Sequence, residues 1–266
     1  MEQKPKKINV LSIDFDFFQK VNHEIIALHY PDGVDREIDE AMMIWGEILV
    51  DKEKRKIIES VKVNINEIRV LQEILSQQKS NARAMICNSH INIFDFIKKN
   101  VPLNRELNLI NVDMHHDIYN DNKECMDCGN WISYIKKEYE HFQLGWIANP
   151  ISKSVYGFSE EECPENVVPT SLKAILGQRF DVIFLCRSDI WTPPHLDMYF
   201  IQLVNTMKGV FNSMNLKQSL KRKLNRFRKM KNRSLFSERC SARHLRRKLS
   251  SPGHSMMPMR PGLQAQ

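Results

Sequence analysis

From Leu107 to Asp117 the chain reads Leu-Asn-Leu-Ile-Asn-Val-Asp-Met-His-His-Asp. Residues Leu107–Val112 form a short apolar run of the kind that makes a buried strand, and Asp113, His115 and Asp117 follow at its carboxyl end. Alternate residues project to a common side as a chain leaves a sheet, so this spacing predicts that the three polar groups share one direction. The same arrangement recurs twice. Ile8–Ile13 runs into Asp14-Phe15-Asp16-Phe17-Phe18, and Arg83–Cys87 runs into Asn88-Ser89-His90.

Working outward, Gln143–Ile147 and Phe180–Cys186 read as further strands, the latter leading into Arg187-Ser188-Asp189 and on to Pro193-Pro194. Helical spacing is expected between them. Val34 to Leu75 reads as mainly helical, with Ile57, Ile58, Val61, Ile65, Ile68, Leu71 and Leu75 as its apolar positions. Ile91–Ile97, Asn130–Phe142 and His195–Met214 read as shorter helices. Strands alternating with helices predict an α/β domain with a mostly parallel sheet, whose ligands collect beyond the carboxyl ends of the strands.

The charge is unevenly divided. The net formal charge is +7, but residues 215–266 hold 15 Lys and Arg against the single acid Glu238, so this tail carries +14 and the preceding 214 residues carry −7. The expected organisation is therefore a domain over 1–214 followed by a basic, flexible tail over 215–266. A tail of that kind can neutralise nucleic-acid phosphates without reading sequence. At 42% hydrophobic and 27% charged, the chain has the profile of a soluble globular protein rather than a disordered or fibrous one. No run approaches the ~20 apolar residues of a membrane span, and Met1–Lys7 is polar. A cytoplasmic protein with no membrane association is expected. Six scattered cysteines make no dense disulfide framework, and Cys125-Met126-Asp127-Cys128 is a lone Cys-x-x-Cys without a second half.

Six groups thus gather at strand ends: Asp14, Asp16, His90, Asp113, His115 and Asp117. Carboxylate and imidazole ligands together suit Mn²⁺, Fe²⁺, Co²⁺ or Zn²⁺. Four aspartates crowded at one sheet edge repel one another, and divalent cations would relieve that repulsion. His116 reads either as a group supporting the site, a proton shuttle, or as a neighbour turned into packing. Asn130 reads as a substrate-orienting residue or as a helix N-cap. Asp189 is a rim acid or a turn residue, and Trp131 and Trp191 line a pocket or pack.

Asp113-x-His115-x-Asp117, preceded by His90, resembles the metal-binding core of the arginase and histone-deacetylase superfamily, and Ser12-Ile13-Asp14-Phe15-Asp16 resembles its Asp-x-Asp signature. Ile13–Phe18, Gly129-Asn130-Trp131-Ile132 and the Arg187–Pro193 segment are similar to the arginase-like branch that includes peptide arginases. The likeness spans about Ile8 to Leu196. It implies a three-layer arginase-like sandwich and two metal ions, Mn²⁺ foremost, held by the six residues. The implied reaction is hydrolysis of a guanidino carbon–nitrogen bond in arginine or peptidyl arginine, giving ornithine and urea. Amide deacetylation is the alternative within the superfamily, and a nucleic-acid-associated protein with a non-catalytic metal site is the alternative outside it. The Asp-x-Asp strand comes first here, whereas in arginases it follows the Asp-x-His-x-Asp strand, so the strand order is expected to be permuted. Gln19-Lys20 also stands where arginases have Asp-Pro. Asp14-x-Asp16 resembles the nucleophile strand of haloacid-dehalogenase phosphatases as well, but Phe18 stands where those enzymes have Thr or Val.

Overall fold

The computed structural model describes residues 6–31, 36–118, 125–152, 154 and 171–216. Its centre is a strand, β1 (Lys7–Asp14), whose last five residues are all buried. A strand buried on both faces needs neighbours on both edges. It has β5 (Glu106–Asp113) on one side and β7 (Val182–Cys186) on the other. Beyond β5 lies β6 (Phe142–Ala148); beyond β7 lie β4 (Arg83–Cys87) and then β8 (Met214–Leu216). The order is therefore β6-β5-β1-β7-β4-β8, and every neighbouring pair runs parallel. Two short strands, β2 (Gln19–Lys20) and β3 (Lys62–Val63), pair antiparallel as a separate ribbon.

Helices flank the sheet. On one face Val10, Leu107, Leu109, Val182 and Phe184 pack with Ile93, Phe96 and Ile97 of α5 (Asn92–Asn100) and with Trp131, Ile132 and Ile135 of α6 (Trp131–Glu138). Strand residues of the opposite parity, Leu11, Ile13, Ile110, Val112, Ile183 and Leu185, are buried as well, so both faces are covered. Outside the first cluster, α4 (Ile65–Ser76) and α7 (Asp197–Val210) pack on each other. Their buried positions, Ile68, Leu71 and Leu75 on one and Phe200, Leu203, Val204 and Met207 on the other, keep the spacing of one helical face. The result is an α/β fold with the layering of a three-layer sandwich.

The region 34–75, expected to be mainly helical, is so, in separate pieces. It resolves into α2 (Ile38–Val50), α3 (Lys52–Ser60), β3 and α4, with α1 (His23–His29) before it. Asp51 is the reason for the first break: its carboxylate accepts from the backbone N–H groups of Glu53 and Lys54 and starts a new helix. After Val61 the chain runs extended to pair with β2. The helix expected over 130–142 ends at Glu138, and the one expected over 195–214 is a short 3-10 turn (Pro194–Leu196) followed by α7, because Met214 already belongs to β8. That edge strand crosses the boundary expected at Met214. From Lys217 onward the basic tail lies outside the described residues.

Candidate metal centre

The sheet register decides where the polar groups fall. Asp14 pairs with Cys186, Cys186 pairs with Cys87, and Ile13 pairs with Val112, so the carboxyl ends of β1, β7, β4 and β5 finish in one row. Asp14 and Asp113 are neighbours at that row. By parity Ser12 and Asp14 share the face of Val10, and Asn111 and Asp113 share the face of Leu109, the face covered by α5 and α6. His90 stands just before α5, and the single turn Phe15–Phe18 carries Asp16 over the end of β1. The structure thus brings all six sequence-identified residues to one edge.

His90 Nδ1 lies 3.2 Å from Asp14 Oδ2, 3.0 Å from Asp113 Oδ2 and 3.1 Å from Asp117 Oδ2. One ring nitrogen carries at most one proton, which cannot serve three carboxylates well. A divalent cation can. Donor atoms on adjacent corners of an octahedral site with bonds of ~2.1 Å stand ~3.0 Å apart, close to the spacing found here. A second group forms beside the first: His115 Nδ1 lies 3.1 Å from Asp16 Oδ2 and 3.5 Å from Asp113 Oδ1. Asp14, His90 and Asp113 can hold one ion, and Asp16, Asp113 and His115 a second. Asp113 belongs to both, with one carboxylate oxygen turned to each histidine. Asp117 completes the ring around His90.

Without a cation the charges are strained. Burial, then the charges of Asp14 and Asp113, push the Asp16 carboxyl well above the usual carboxylate range. Burial and the Asp113 charge push Asp117 up to about 8. Burial works the same way on Asp113, but hydrogen bonds from His115 and His90 outweigh it and hold that carboxyl below the usual range. For His90, burial opposes protonation, and the Asp117 charge together with hydrogen bonds to Asp113, Asp117 and Asp14 overrides it, so its pKa is raised well above normal. In this state protons on His90, Asp16 and Asp117 occupy the place a cation would take, which couples metal binding to proton release.

Neighbouring groups orient these side chains, among them Ser12, Asn111 and Trp146, to which the sequence assigned no role. Ser12 Oγ lies 2.7 Å from His90 Nε2. A proton held on Nε2 and donated to Ser12 is the tautomer that leaves Nδ1 free to ligate. The Trp131 indole donates to Asp117 Oδ2 at 2.7 Å, so this tryptophan does more than pack. Asn111 donates to Asp113 Oδ2, and the Trp146 indole donates to the Asp113 carbonyl. His90 stacks on Phe184, and His115 sits 4.8 Å from the Trp191 ring. Asp117 itself adopts φ 56°, in the left-handed region where Asp is among the better tolerated residues. The parity of Ser12 with Asp14 is a signal available in the sequence; the partners of Trp131 and Trp146 are set by tertiary contacts alone.

The loop after β7 is fixed by a buried cation. Arg187 is fully buried, hydrogen-bonds and pairs with Asp197, donates to the carbonyls of Thr192 and Pro193, and lies over the rings of Phe15 and Phe200. This holds the segment that places Trp191 over His115.

The remaining expectations resolve individually. His116 is buried, accepts from the Ile118 N–H at Nδ1 and packs edge-on against Trp146. Asn130 immediately precedes α6 but makes no side-chain cap; it accepts from the Asp127 N–H and donates to the Cys125 carbonyl, stitching its own loop. Asp189 is buried, and its carbonyl accepts from the Trp45 indole. Cys125 is exposed, Cys128 is half-buried, and Cys87 and Cys186 are buried; all four are free thiols. Among the described residues no helix is long and apolar enough to cross a membrane. Comparison with models of known families, with curated proteins and with solved structures finds no significant match to this chain.

Proposed function

We propose that this protein is a hydrolase that uses two divalent metal ions, Mn²⁺ being the ion that the resemblance implies, to cleave a carbon–nitrogen bond of a guanidino group. The observation that carries the reading is the sharing of Asp113 between two buried ligand groups, one around His90 and one around His115. A carboxylate shared by two imidazole-containing groups is a donor set that would suit a paired-ion hydrolytic centre. When bound, such ions act as Lewis acids and lower the pKa of water so that hydroxide is available at neutral pH.

The chain's own residues give the centre its shape. Ser12 fixes the ring of His90, Trp131 fixes Asp117, Asn111 steadies Asp113, and Trp191 lies against His115 on the side of the Arg187 loop. The excess negative charge of residues 1–214 favours approach of a cationic guanidinium. The specific assignment to arginine or peptidyl arginine rests on the resemblance of Asp113-x-His115-x-Asp117 and Asp14-x-Asp16 to the arginase-like branch.

The test is urea release from arginine and from arginine-containing peptides by the Mn²⁺-loaded protein. Urea formed by the wild type and lost in Asp113→Asn supports the proposal. Release of acetate from acetyl-lysine peptides with no urea would move the chemistry to amide hydrolysis on the same ligands, and turnover of neither would contradict it.

A further inference from the structure

Helix α2 (Ile38–Val50) turns only one face to its own fold: Ile38, Ala41 and Trp45 are buried, and the Trp45 indole donates to the Asp189 carbonyl. The other face is open. Asp39, Met43, Gly46 and Val50 recur along it at one-turn intervals, and all four are exposed. Val50 is 82% exposed, Met43 66% and the adjacent Met42 39%. A single exposed apolar side chain is ordinary, but several at helical spacing on one open face form the pattern of a contact surface.

Gly46 stands in the middle of that row. Glycine inside a helix is destabilising relative to alanine, and no packing within the chain requires it here, since a Cβ added at Gly46 would meet nothing within 4 Å. Its lack of a side chain leaves a notch, with Met42 and Met43 one turn before it and Val50 one turn after, where a second helix can approach closely.

The two ends of the row carry opposite charges. At the amino end Glu37 precedes the helix and Asp39 lies in its first turn, both exposed, while Glu40 beside them is paired with Arg36. Past the carboxyl end, α3 (Lys52–Ser60) opens with Lys52 and Lys54, also exposed, on either side of Glu53. Asp51, between the two helices, is engaged as the cap of α3. A surface that is acidic at one end, apolar in the middle and basic at the other complements a copy of itself turned end for end.

We propose that the open face of α2 is the contact of a two-fold homodimer, in which the two copies of α2 cross antiparallel at Gly46. Val50 of each chain packs against Met42 and Met43 of its mate, and Glu37 and Asp39 face the mate's Lys52 and Lys54. The proposal concerns assembly and stands apart from the hydrolytic reading.

Sedimentation velocity of the full chain tests it. The wild type is expected to pass from one chain to two over a range of about 1–100 µM, with the midpoint moving to higher concentration as salt screens the end charges. Val50→Glu and Gly46→Gln are each expected to weaken association at least about tenfold. Gly46→Gln is the sharper probe, because glutamine favours the helix and leaves the single chain no less stable to urea. Asp39→Lys is expected to weaken association about tenfold, and adding Lys54→Glu to it to restore the wild-type affinity. A single chain at every concentration, a Gly46→Gln chain that pairs as tightly as the wild type, or a charge exchange that restores nothing would overturn the proposal.

Discussion

Replacing Asp117 by Asn separates the two demands that the buried cluster makes on the fold. Asn tolerates the left-handed backbone of residue 117, φ 56°, and its carbonyl can still accept the Trp131 indole. What is lost is the charge. In the metal-free protein the carboxyl titrates near 8 instead of its ordinary 3.8, so at pH 7 the folded chain holds it protonated while the unfolded chain leaves it ionised. Each unit of pH between the two values costs the folded state about 1.36 kcal/mol, or on the order of 4 kcal/mol at pH 7. Asn carries no such cost. Because Asp117 shares its environment with Asp113 and His90, a gain of about 2–4 kcal/mol is expected for the metal-free variant, on the order of 10 °C in Tm. The sign follows from proton counting: between 3.8 and about 8 the folded metal-free protein binds more protons than the unfolded chain, so wild-type stability falls as pH rises through that window. Urea denaturation in excess chelator at pH 4, 6 and 8 measures it. The two proteins should nearly coincide at pH 4 and diverge toward pH 8, and adding Mn²⁺ should stabilise the wild type more than the variant. A variant less stable than the wild type at pH 7, or a gap that does not widen with pH, would refute the reasoning.

Other outcomes follow from the same geometry. Ser12→Ala removes the partner of His90 Nε2 and should weaken metal affinity about 10–100-fold, read by chelator competition, with the far-ultraviolet spectrum unchanged. Asp197→Ala strands the buried Arg187 guanidinium and should cost about 3–5 kcal/mol in chemical denaturation, while loosening the segment that sets Trp191 against His115. Metal affinity of the wild type should rise with pH between about 6 and 8, since binding must displace protons from Asp117 and His90; a pH-independent affinity over that range would contradict this.

Much of the fold was legible because its central strands are buried over most of their length. Ile8–Ile13, Arg83–Cys87 and Leu107–Val112 are apolar runs that end abruptly in polar residues, and each became a strand of the central sheet with its polar residues at the carboxyl edge. The pairing order is set by contacts far apart in sequence, and no local pattern places β7 between β1 and β4. Met214–Leu216 is too short to carry a strand pattern and owes its form to β4. The breaks inside residues 34–75 depend on where Asp51 turns its carboxylate and on β2 lying opposite Lys62 and Val63, while apolar spacing alone reads through both. At the site, the six strand-end residues were visible as chemistry. Trp131 was not, because an indole that bonds a carboxylate and one that merely packs have the same sequence signature.

The most direct test is the metal content of the purified protein after Mn²⁺ loading and removal of free ion, measured by elemental analysis. About two ions per wild-type chain are expected, with essentially none in the Asp113→Ala, His115→Ala double variant, because Asp113 stands in both ligand groups. A folded wild type that retains no metal, or a double variant that retains as much as the wild type, would contradict the paired-ion centre.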